Sequence, residues 1–529
     1  MTLHPVDLLV ILVYATLTVA IGLRCSRRHQ TADRYFLGGR DFPGWAIGLS
    51  FIGSTISSIT FIAYPADSFK TAWLRILPPL AFPLVVLLAC YAFIPFFRRG
   101  TVHSAYHYLA LRFGPSVSLY AALVYLTMQV VRAATITYLL AVLLSTMTGL
   151  PVLACIALSA GVTAVYTVKG GFEAVVWTDV IQTIVLLSGA IVCVFFIAHA
   201  LPGGLAQVWS EGWAAHKLSL RDLNPATGLL EAVPAGFSLT EKTAMMLVLV
   251  GVANYLAGQL DQDSVQRWCS AKSAREARKA MFVLGFGAVP IWTGFMFLGT
   301  CLWVFYRHFP DETSTAVLTG ARKAEDILPH FIVTVLPHGV AGLVISAALA
   351  AAMASLSSCI NAASMVCVYD VYRPYFARTQ DDRHYLKAGR LTSVAIALVM
   401  SSVAWLFYLA PTKTILDFIL IVTALLGGGA SGAFVFGMFT RLGDARAVLV
   451  GIAATVAFTA YAVLVALGVW PRVFNAYYTS ILANVIMFLT CCLAALFLPR
   501  KGGDLANLTV WDRTPEPELT PAASAKATQ

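Results

Sequence analysis

The sequence predicts an all-α polytopic membrane protein, and three observations support this fold class. Of its 529 residues, 59% are hydrophobic and only 12% are charged, whereas soluble globular proteins average about 25% charged residues. The apolar residues form long stretches of about the 20 residues that a helix needs to cross a bilayer. Barrel strands alternate apolar and polar residues, so a β-barrel is disfavoured, and a soluble enzyme, a disordered scaffold and a secreted disulfide module are excluded.

Thirteen apolar stretches are long enough to be membrane spans. They cover residues 5–23, 44–66, 74–97, 115–147, 150–168, 174–200, 243–264, 281–306, 331–369, 391–410, 414–438, 447–468 and 474–498. The first is followed by the basic sequence RCSRRHQ and no small-residue cleavage site. We therefore expect a retained helix and not a signal peptide.

The distribution of Lys and Arg predicts the orientation in the membrane. With the N-terminus outside, the inner loops and the C-terminal tail hold 25 of the 36 basic residues and the outer side holds 10. Cytoplasmic loops carry such an excess, so the C-terminus is predicted to be cytoplasmic, in a multi-pass protein of a plasma membrane such as the bacterial inner membrane. The net charge of +10 follows from the same bias and indicates a lipid bilayer, with no nucleic-acid partner.

Two spans combine glycine and polar residues in a way that favours a broken helix. In the second span these residues are Gly53, Ser54, Thr55, Ser57, Ser58 and Thr60; in the seventh they are Gly251, Asn254, Gly258 and Gln259. The two spans are five apart, so spans 2–6 and 7–11 are predicted to form two inverted halves. Broken helices free carbonyls and hydroxyls for an ion and a solute at the midplane of secondary transporters. The alternative is small residues for close helix packing.

The chain thus divides into six predicted regions. They are an N-terminal helix with a basic inner loop (1–43), a first inverted repeat (44–200), an outer loop (201–242), a second inverted repeat (243–440), two C-terminal helices (441–500) and a disordered cytoplasmic tail (501–529). The sequence contains no GxxxxGK[ST] loop, no HExxH motif and no CxxC pairs. It therefore predicts neither an ATP-driven motor nor an enzyme.

Arg132 lies deep in the fourth span, where a charged side chain is expensive. An arginine at the centre of a span costs about 2.5–3.5 kcal/mol on insertion scales. The planar guanidinium is suited to bidentate binding of a carboxylate, so Arg132 is a candidate anion site. The alternative is a structural salt bridge to another helix.

The ninth and sixth spans supply candidate ligands for a cation. At 100° per residue, one stripe of the ninth span is formed by Ala351, Ala354, Ser355 and Ser358, with Ser357 on its flank. Hard cations prefer oxygen ligands. Asp179 lies about 7–8 Å inside the sixth span at 1.5 Å per residue, where its carboxylate is either solvated or neutralises a monovalent cation near the serine stripe.

Four motifs, taken in this order, resemble those of the sodium:solute symporter family, which includes the sodium/glucose and sodium/proline transporters. The motifs are DRYFLGGR (33–40), GGFEAVVWTDVIQ (170–182), DQDSVQR (261–267) and SLSSCINAASMVCVYDVY (355–372). The resemblance covers about residues 5–500, and the segments TADRYFLGGRDFPGWAIGLSFIGSTISSITF and RAATITYL are similar to the bacterial sodium/sialic acid branch. It implies a leucine-transporter-like core of five plus five inverted helices, preceded by one helix and followed by two.

The resemblance also implies the sodium sites. The ligands of the main site would be backbone carbonyls and hydroxyls at Gly53, Ile56, Ala351, Ala354 and Ser355. The family usually has a serine at the position of Ala354, so one sodium oxygen is missing here. A second sodium ion would use Asp179, Ser357 and Ser358 together with the position of that missing serine.

The solute site is implied in the same way. Arg132 would hold the carboxylate of the solute, and Thr55, Ser57 and Thr60 would supply hydroxyl contacts. Two pocket positions depart from the sialic acid branch, because Pro79 replaces a glutamine and Arg75 replaces a phenylalanine. These departures favour another sugar acid or a smaller carboxylate, with Arg75 as a second anion contact.

Together these features predict a sodium-coupled symporter. It would import a small carboxylate-bearing solute by alternating access, with one or two co-transported Na⁺ ions. One alternative is a symporter of a neutral sugar or a proline-like solute, in which Arg132 is structural. Another is a membrane solute sensor built on a symporter-like module, for which the tail after residue 500 is too short to hold a kinase or receiver.

Overall fold

The computed structural model describes residues 3–26, 31–98, 104–224, 227–409, 429–500 and 505–511. These residues form an all-helical protein with one short antiparallel hairpin, β1 (Arg221–Leu223) and β2 (Leu230–Ala232), in the predicted outer loop. The predicted all-α class is therefore confirmed.

The first half of the chain contains eleven helices in the described residues. They are α1 (Pro5–Cys25), α2 (Ala32–Leu37), α3 (Gly44–Thr55), α4 (Ser58–Lys70), α5 (Leu77–Leu80), α6 (Phe82–Leu88), α7 (Ile94–Arg98), α8 (Ala105–Phe113), α9 (Pro115–Thr148), α10 (Val152–Ala200) and α11 (Gly204–Ala214). Shorter 3-10 or π turns are formed by Gly38–Arg40, Trp73–Ile76 and Ala89–Phe93.

The second half contains another eleven in the part of the chain described. They are α12 (Ala244–Gln259), α13 (Gln262–Ser270), α14 (Ala274–His308), α15 (Glu312–Leu318), α16 (Ile327–Thr334), α17 (Val340–Val366), α18 (Arg373–Tyr375), α19 (Asp382–Leu409), α20 (Ala430–Phe439), α21 (Ala445–Ala466) and α22 (Thr479–Phe497). The 3-10 or π turns are Ala324–Asp326, Cys367–Tyr372 and Ala476–Tyr478.

The predicted fifth and sixth spans are continuous in α10, which bends at Gly171. This glycine has a φ of 53° and a ψ of −155°, and a Cβ at its position would lie 2.5 Å from the carbonyl oxygen of Tyr35. With 49 residues, α10 is about 70 Å long at 1.5 Å per residue, enough for two spans. The bend lies at the Lys169–Gly171 turn that separates the two predicted spans.

Nine single helices in the described residues are long and apolar enough to cross a membrane, and two further bent helix pairs pass the same test together. If α10 crosses twice, twelve of the thirteen predicted spans have a counterpart. The remaining one, 414–438, falls mostly on residues 410–428, outside the described residues, and only its end is seen in α20. The number thirteen stays a prediction.

The fold has its centre at α17, which contacts α1, α3, α9, α10 and α19. Nearly every residue of α17 is buried. The outer helices instead expose large apolar side chains, among them Phe195, Phe286, Leu398 and Phe497. An exterior this apolar is the surface that a bilayer covers.

Residues 505–511 of the C-terminal tail pack against the membrane helices, although disorder is predicted for them; the rest of the predicted segment 501–529 lies outside the described residues. We call residues 505–511 the C-terminal strap. Val510 donates its N–H to the carbonyl of Met438 at 3.0 Å, Trp511 donates its indole N–H to the carbonyl of Phe439 at 2.9 Å, and Tyr108 donates its hydroxyl to the strap at Leu508. The last carbonyls of a helix lack intrahelical partners, so the strap completes the end of α20.

Candidate functional site

Two helices are broken, the first within its predicted cluster of residues and the second just after it. Gly251, Asn254, Gly258 and Gln259 all lie inside helix α12, and its break follows at Asp261. Between α3 and α4, Ile56 and Ser57 have extended backbone conformations, and the axes of the two segments differ by 58°. Between α12 and α13 the chain passes through Asp261, which is also extended, and the axes differ by 54°. Each break exposes backbone polar groups that a continuous helix would pair internally.

The residues of the predicted main sodium site lie together. A Cβ at Gly53 would lie 3.5 Å from the Cβ of Ala354, so the end of α3 is in direct contact with α17. Ser355 donates its hydroxyl to the carbonyl of Ser54 at 3.1 Å and to that of Ala351 at 3.4 Å. Ala354 offers a carbonyl and no side-chain oxygen. Ile56, the first residue after α3, has an extended backbone at the break.

The residues of the predicted second sodium site also lie together, but a buried arginine lies among them. Asp179 is completely buried and accepts hydrogen bonds from Ser50 at 2.6 Å and Ser357 at 3.4 Å. Arg267 lies 3.2 Å from Asp179 and donates to the hydroxyl of Ser358 at 2.6 Å. The burial excludes the solvated alternative for Asp179, and its charge is offset by Arg267.

Arg267 corrects one part of the sequence analysis. It follows the seventh predicted span (243–264), and the predicted orientation places it among the 25 basic residues of the inner side, yet it is only 1% exposed and its guanidinium faces the rings of Phe51 and Phe172. The segment is helix α13, which is buried almost throughout. Hydropathy alone does not distinguish a loop from a polar helix packed inside a bundle.

Arg132 projects from the middle of α9 toward the break between α3 and α4. Its guanidinium donates to the carbonyl of Ser54 at 3.3 Å and lies 3.5 Å from a carboxylate oxygen of Asp263. The side chain is 44% exposed, so much of the guanidinium is free for a ligand. Thr135 and Tyr138, three and six residues further along α9, line a cavity of about 890 Å³.

The carbonyl of Ser54 joins the two candidate sites. It accepts hydrogen bonds from Arg132 of the solute site and from Ser355 of the sodium site. A serine hydroxyl that donates to this carbonyl keeps its lone pairs for a cation. The end of α3 is therefore the structural element through which sodium and solute can affect each other.

The predicted hydroxyl contacts lie at the same break. Ser57 and Thr60 are buried, and Thr55 is partly buried. Among the described residues, none of these three hydroxyls has a hydrogen-bond partner. Free hydroxyls beside a half-exposed guanidinium are suited to a polar solute.

Arg75 is not brought to this site. It lies in the 3-10 turn Trp73–Ile76, pairs with Asp67, and packs over the ring of Tyr64 at 5.4 Å. All of these contacts are with α4, and its side chain is 42% exposed. The structure therefore gives Arg75 a partner other than the solute, and its predicted role as a second anion contact has no support in this geometry.

Three polar side chains around Arg132 were not recognised from the sequence. Asp263 accepts hydrogen bonds from the hydroxyl of Tyr125 and the amide of Gln129, both at 3.2 Å. Gln129 precedes Arg132 by three residues on α9, so the helical spacing was a usable signal. Asp263 is part of the DQDSVQR motif, but the motif alone does not show which face of α13 meets Arg132.

This arrangement defines the class of protein. The chain has multiple apolar helices, and two of them are broken near a half-exposed arginine side chain and several hydroxyl groups. Broken helices of this kind are typical of a secondary transporter. Residues 35–454 match the sodium:solute symporter family. The chain belongs to this family, and it is a multi-pass, sodium-coupled symporter.

Two sequence relatives and one solved structure show how similar the chain is to the family. It is 32% identical to the sodium/sialic acid symporter SiaT of Proteus mirabilis over 83% of this chain and 86% of the relative. It is 29% identical to the sodium/sialic acid symporter NanT of Aliivibrio fischeri, over 84% and 85%. A solved outward-open, substrate-bound Na⁺-coupled sialic acid symporter superposes with a TM-score of 0.83 at 28% identity, covering 94% of this chain and 99% of that one. The leucine-transporter-like inverted-repeat fold is thereby confirmed.

Proposed function

We propose that this symporter imports a small carboxylate-bearing solute, such as a sialic acid, another sugar acid or a monocarboxylate, and that Arg132 binds the carboxylate. The observation that carries the proposal is the half-exposed side chain of Arg132 beside the helix break, whose guanidinium donates to the carbonyl of Ser54 at 3.3 Å. A purely structural arginine at this depth would be buried in its ion pair, because an exposed charge at the centre of a span is costly. The names of the relatives point to the same class of solute.

Sodium would bind where α3 and α17 meet. The carbonyls of Gly53, Ile56 and Ala351 and the hydroxyl of Ser355 supply oxygen ligands, and Ala354 adds its carbonyl. Asp179, Ser357 and Ser358 are the candidates for a second ion, which would have to compete with Arg267 for Asp179. Each sodium ion adds about 2.3 kcal/mol per 100 mV of membrane potential, so one ion already drives considerable accumulation.

The transport cycle follows from the geometry of the breaks. Sodium bound at the end of α3 would order the extended residues Ile56 and Ser57 and hold the carbonyl of Ser54 toward Arg132. The solute carboxylate would then bind the guanidinium, and its polar groups would meet Thr55, Ser57 and Thr60. Movement of the helices that contain the breaks would release both to the cytoplasm, with the N-terminus outside and the C-terminus inside.

A thermal-shift screen of carboxylates, with sodium and with choline as its replacement, tests this function. We expect at least one sugar acid or monocarboxylate to raise the melting temperature of the purified protein only in sodium, and Arg132→Ala to abolish that shift. Arg446→Ala is the matched control, because Arg446 is 40% exposed and paired with Asp444, far from the breaks. If Arg132→Ala leaves sodium-driven uptake intact, Arg132 is structural and the solute is neutral.

A further inference from the structure

Two acidic side chains stand at the break between α12 and α13, beside the guanidinium proposed to bind solute. Asp263 lies 3.5 Å from Arg132, and Asp261 is at the residue immediately before α13. We infer that Asp261 and Asp263 form a negative pole opposite Arg132, so that the site takes a dipolar solute carrying a cationic nitrogen as well as a carboxylate. This inference rests on the proposed function and names its substrate class more closely.

Asp261 stands at the break without the helix cap that its position usually makes. Aspartate before the first residue of a helix commonly accepts a hydrogen bond from the backbone of the first turn, but Asp261 makes no such cap. In the described part of the chain its carboxylate has no hydrogen-bond or ion-pair partner, although it is partly buried. Its nearest charges are Arg132 and Asp263. An unpaired carboxylate at the midplane favours a ligand with a positive group.

Asp263 is held in place by hydrogen bonds from the face of α9 that also carries Arg132. Tyr125, Gln129 and Arg132 lie at spacings of four and three residues, and all three donate to Asp263. The contact with Arg132 is long, at 3.5 Å, so a solute carboxylate can displace it. A carboxylate has about four lone-pair sites, which leaves Asp263 free to accept from an ammonium group.

A purely anionic solute fits this site less well. Its carboxylate would take Arg132 away from Asp263 and leave three negative groups around one guanidinium. A dipolar solute puts its own positive charge between the two acids as its carboxylate binds Arg132, so each charge acquires an opposite neighbour. A sodium ion between Asp261 and Asp263 would also balance the charge, and the experiment must distinguish it from the dipolar solute.

Pairs of probes that differ only in the nitrogen test the inference. D-glucosaminate and D-gluconate differ by an ammonium in place of a hydroxyl, and L-alanine and L-lactate differ in the same way at a smaller size. For the full-length protein in sodium, we expect the amino member of at least one pair to bind about tenfold more tightly than its hydroxy partner, which corresponds to about 1.4 kcal/mol. Asp263→Asn and Asp261→Asn should each reduce that preference to about twofold or less, whereas Asp222→Asn, in an exposed pair with Lys242, should not.

The other outcomes separate this inference from the proposed function. If gluconate and lactate both bind as tightly as their amino partners and Arg132→Ala abolishes the binding, the dipolar site is overturned and the carboxylate transporter stands. If sodium alone raises the melting temperature and Asp263→Asn removes that effect without changing the preference, the acids bind sodium and the inference is wrong. If no carboxylate binds in sodium, the proposed function fails as well. The comparison of amino and hydroxy probes on the unmodified protein tests the inference even if Asp261→Asn or Asp263→Asn does not fold.

Discussion

Two of the arginine–aspartate pairs in the described residues involve helix α13, and they differ sharply in exposure. Arg267 and Asp179 are 1% and 0% exposed and 3.2 Å apart. Arg132 and Asp263 are 44% and 14% exposed and 3.5 Å apart. The buried pair is enclosed by serines and aromatic rings, whereas the open pair lies beside a helix break and is only partly covered. The same two residue types therefore stabilise the bundle at one position and are available to a ligand at the other.

The difference shows two ways in which a charged pair is accommodated among membrane helices. Ser50, Ser357 and Ser358 complete the hydrogen bonds of the buried pair, so that neither charge needs water. The open pair has fewer partners and leaves donor capacity on Arg132. Breaking a fully buried pair is expected to be far more damaging than breaking one that solvent or solute can replace.

The largest expected effect is the difference between two single variants, in which the arginine of the buried pair or the arginine of the open pair is replaced by methionine. Arg267→Met leaves the carboxylate of Asp179 buried without a partner, which costs about 3–5 kcal/mol, and we expect loss of most folded protein in fluorescence-detected size-exclusion chromatography. Arg132→Met should lower stability by less than about 1 kcal/mol because its partner is near solvent, while sodium-driven uptake is lost. Equal losses of folded protein would show that the two pairs do not differ as their exposure indicates.

A second variant tests the cause of that loss. If the damage comes from the unpaired carboxylate, adding Asp179→Asn to Arg267→Met removes the buried charge and should recover part of the folded protein. No recovery would instead point to lost packing of the arginine against Phe51 and Phe172.

An intermediate effect is expected from neutralising the acid of each pair. Asp179→Asn leaves Arg267 as an unbalanced buried cation beside Ser357 and Ser358, so part of the folded protein should be lost. In the protein that folds, sodium should bind about tenfold more weakly, a difference of about 1.4 kcal/mol. Asp263→Asn should change solute preference and leave the sodium dependence almost unchanged. Sodium titrations of uptake in proteoliposomes measure both, and an unchanged titration for Asp179→Asn would reject its role in sodium binding.

The smallest effect is expected from restoring an oxygen to the main sodium site. Ala354 is buried against Gly53, so Ala354→Ser places a hydroxyl where α3 meets α17, and we expect roughly threefold tighter sodium binding from the added oxygen ligand. Ala352→Ser is the matched control, because it adds the same hydroxyl about 200° away around α17. Sodium-dependent thermal shifts measure both variants, and equal behaviour of the two would place the sodium site elsewhere.

The sequence allows a good prediction of the elements that depend on local composition. The broken helices follow from Gly53 and its neighbouring hydroxyl residues, the bend of α10 follows from Gly170 and Gly171, and Arg132 is recognisable because a charge in mid-span is costly. The partners of these groups were harder to predict. Arg267 and Asp263 lie on a polar helix whose environment is set by packing against α3, α9 and α17, and no periodicity in a single segment reports which helices surround it.

The C-terminal strap has a consequence for work with this protein. The carbonyls of Met438 and Phe439 obtain their partners from Val510 and Trp511, so the helix end and a stretch some seventy positions later are one assembly. An affinity tag, reporter fusion or protease site introduced ahead of residue 505 would cut into this assembly, whereas one introduced after residue 511 would leave it whole.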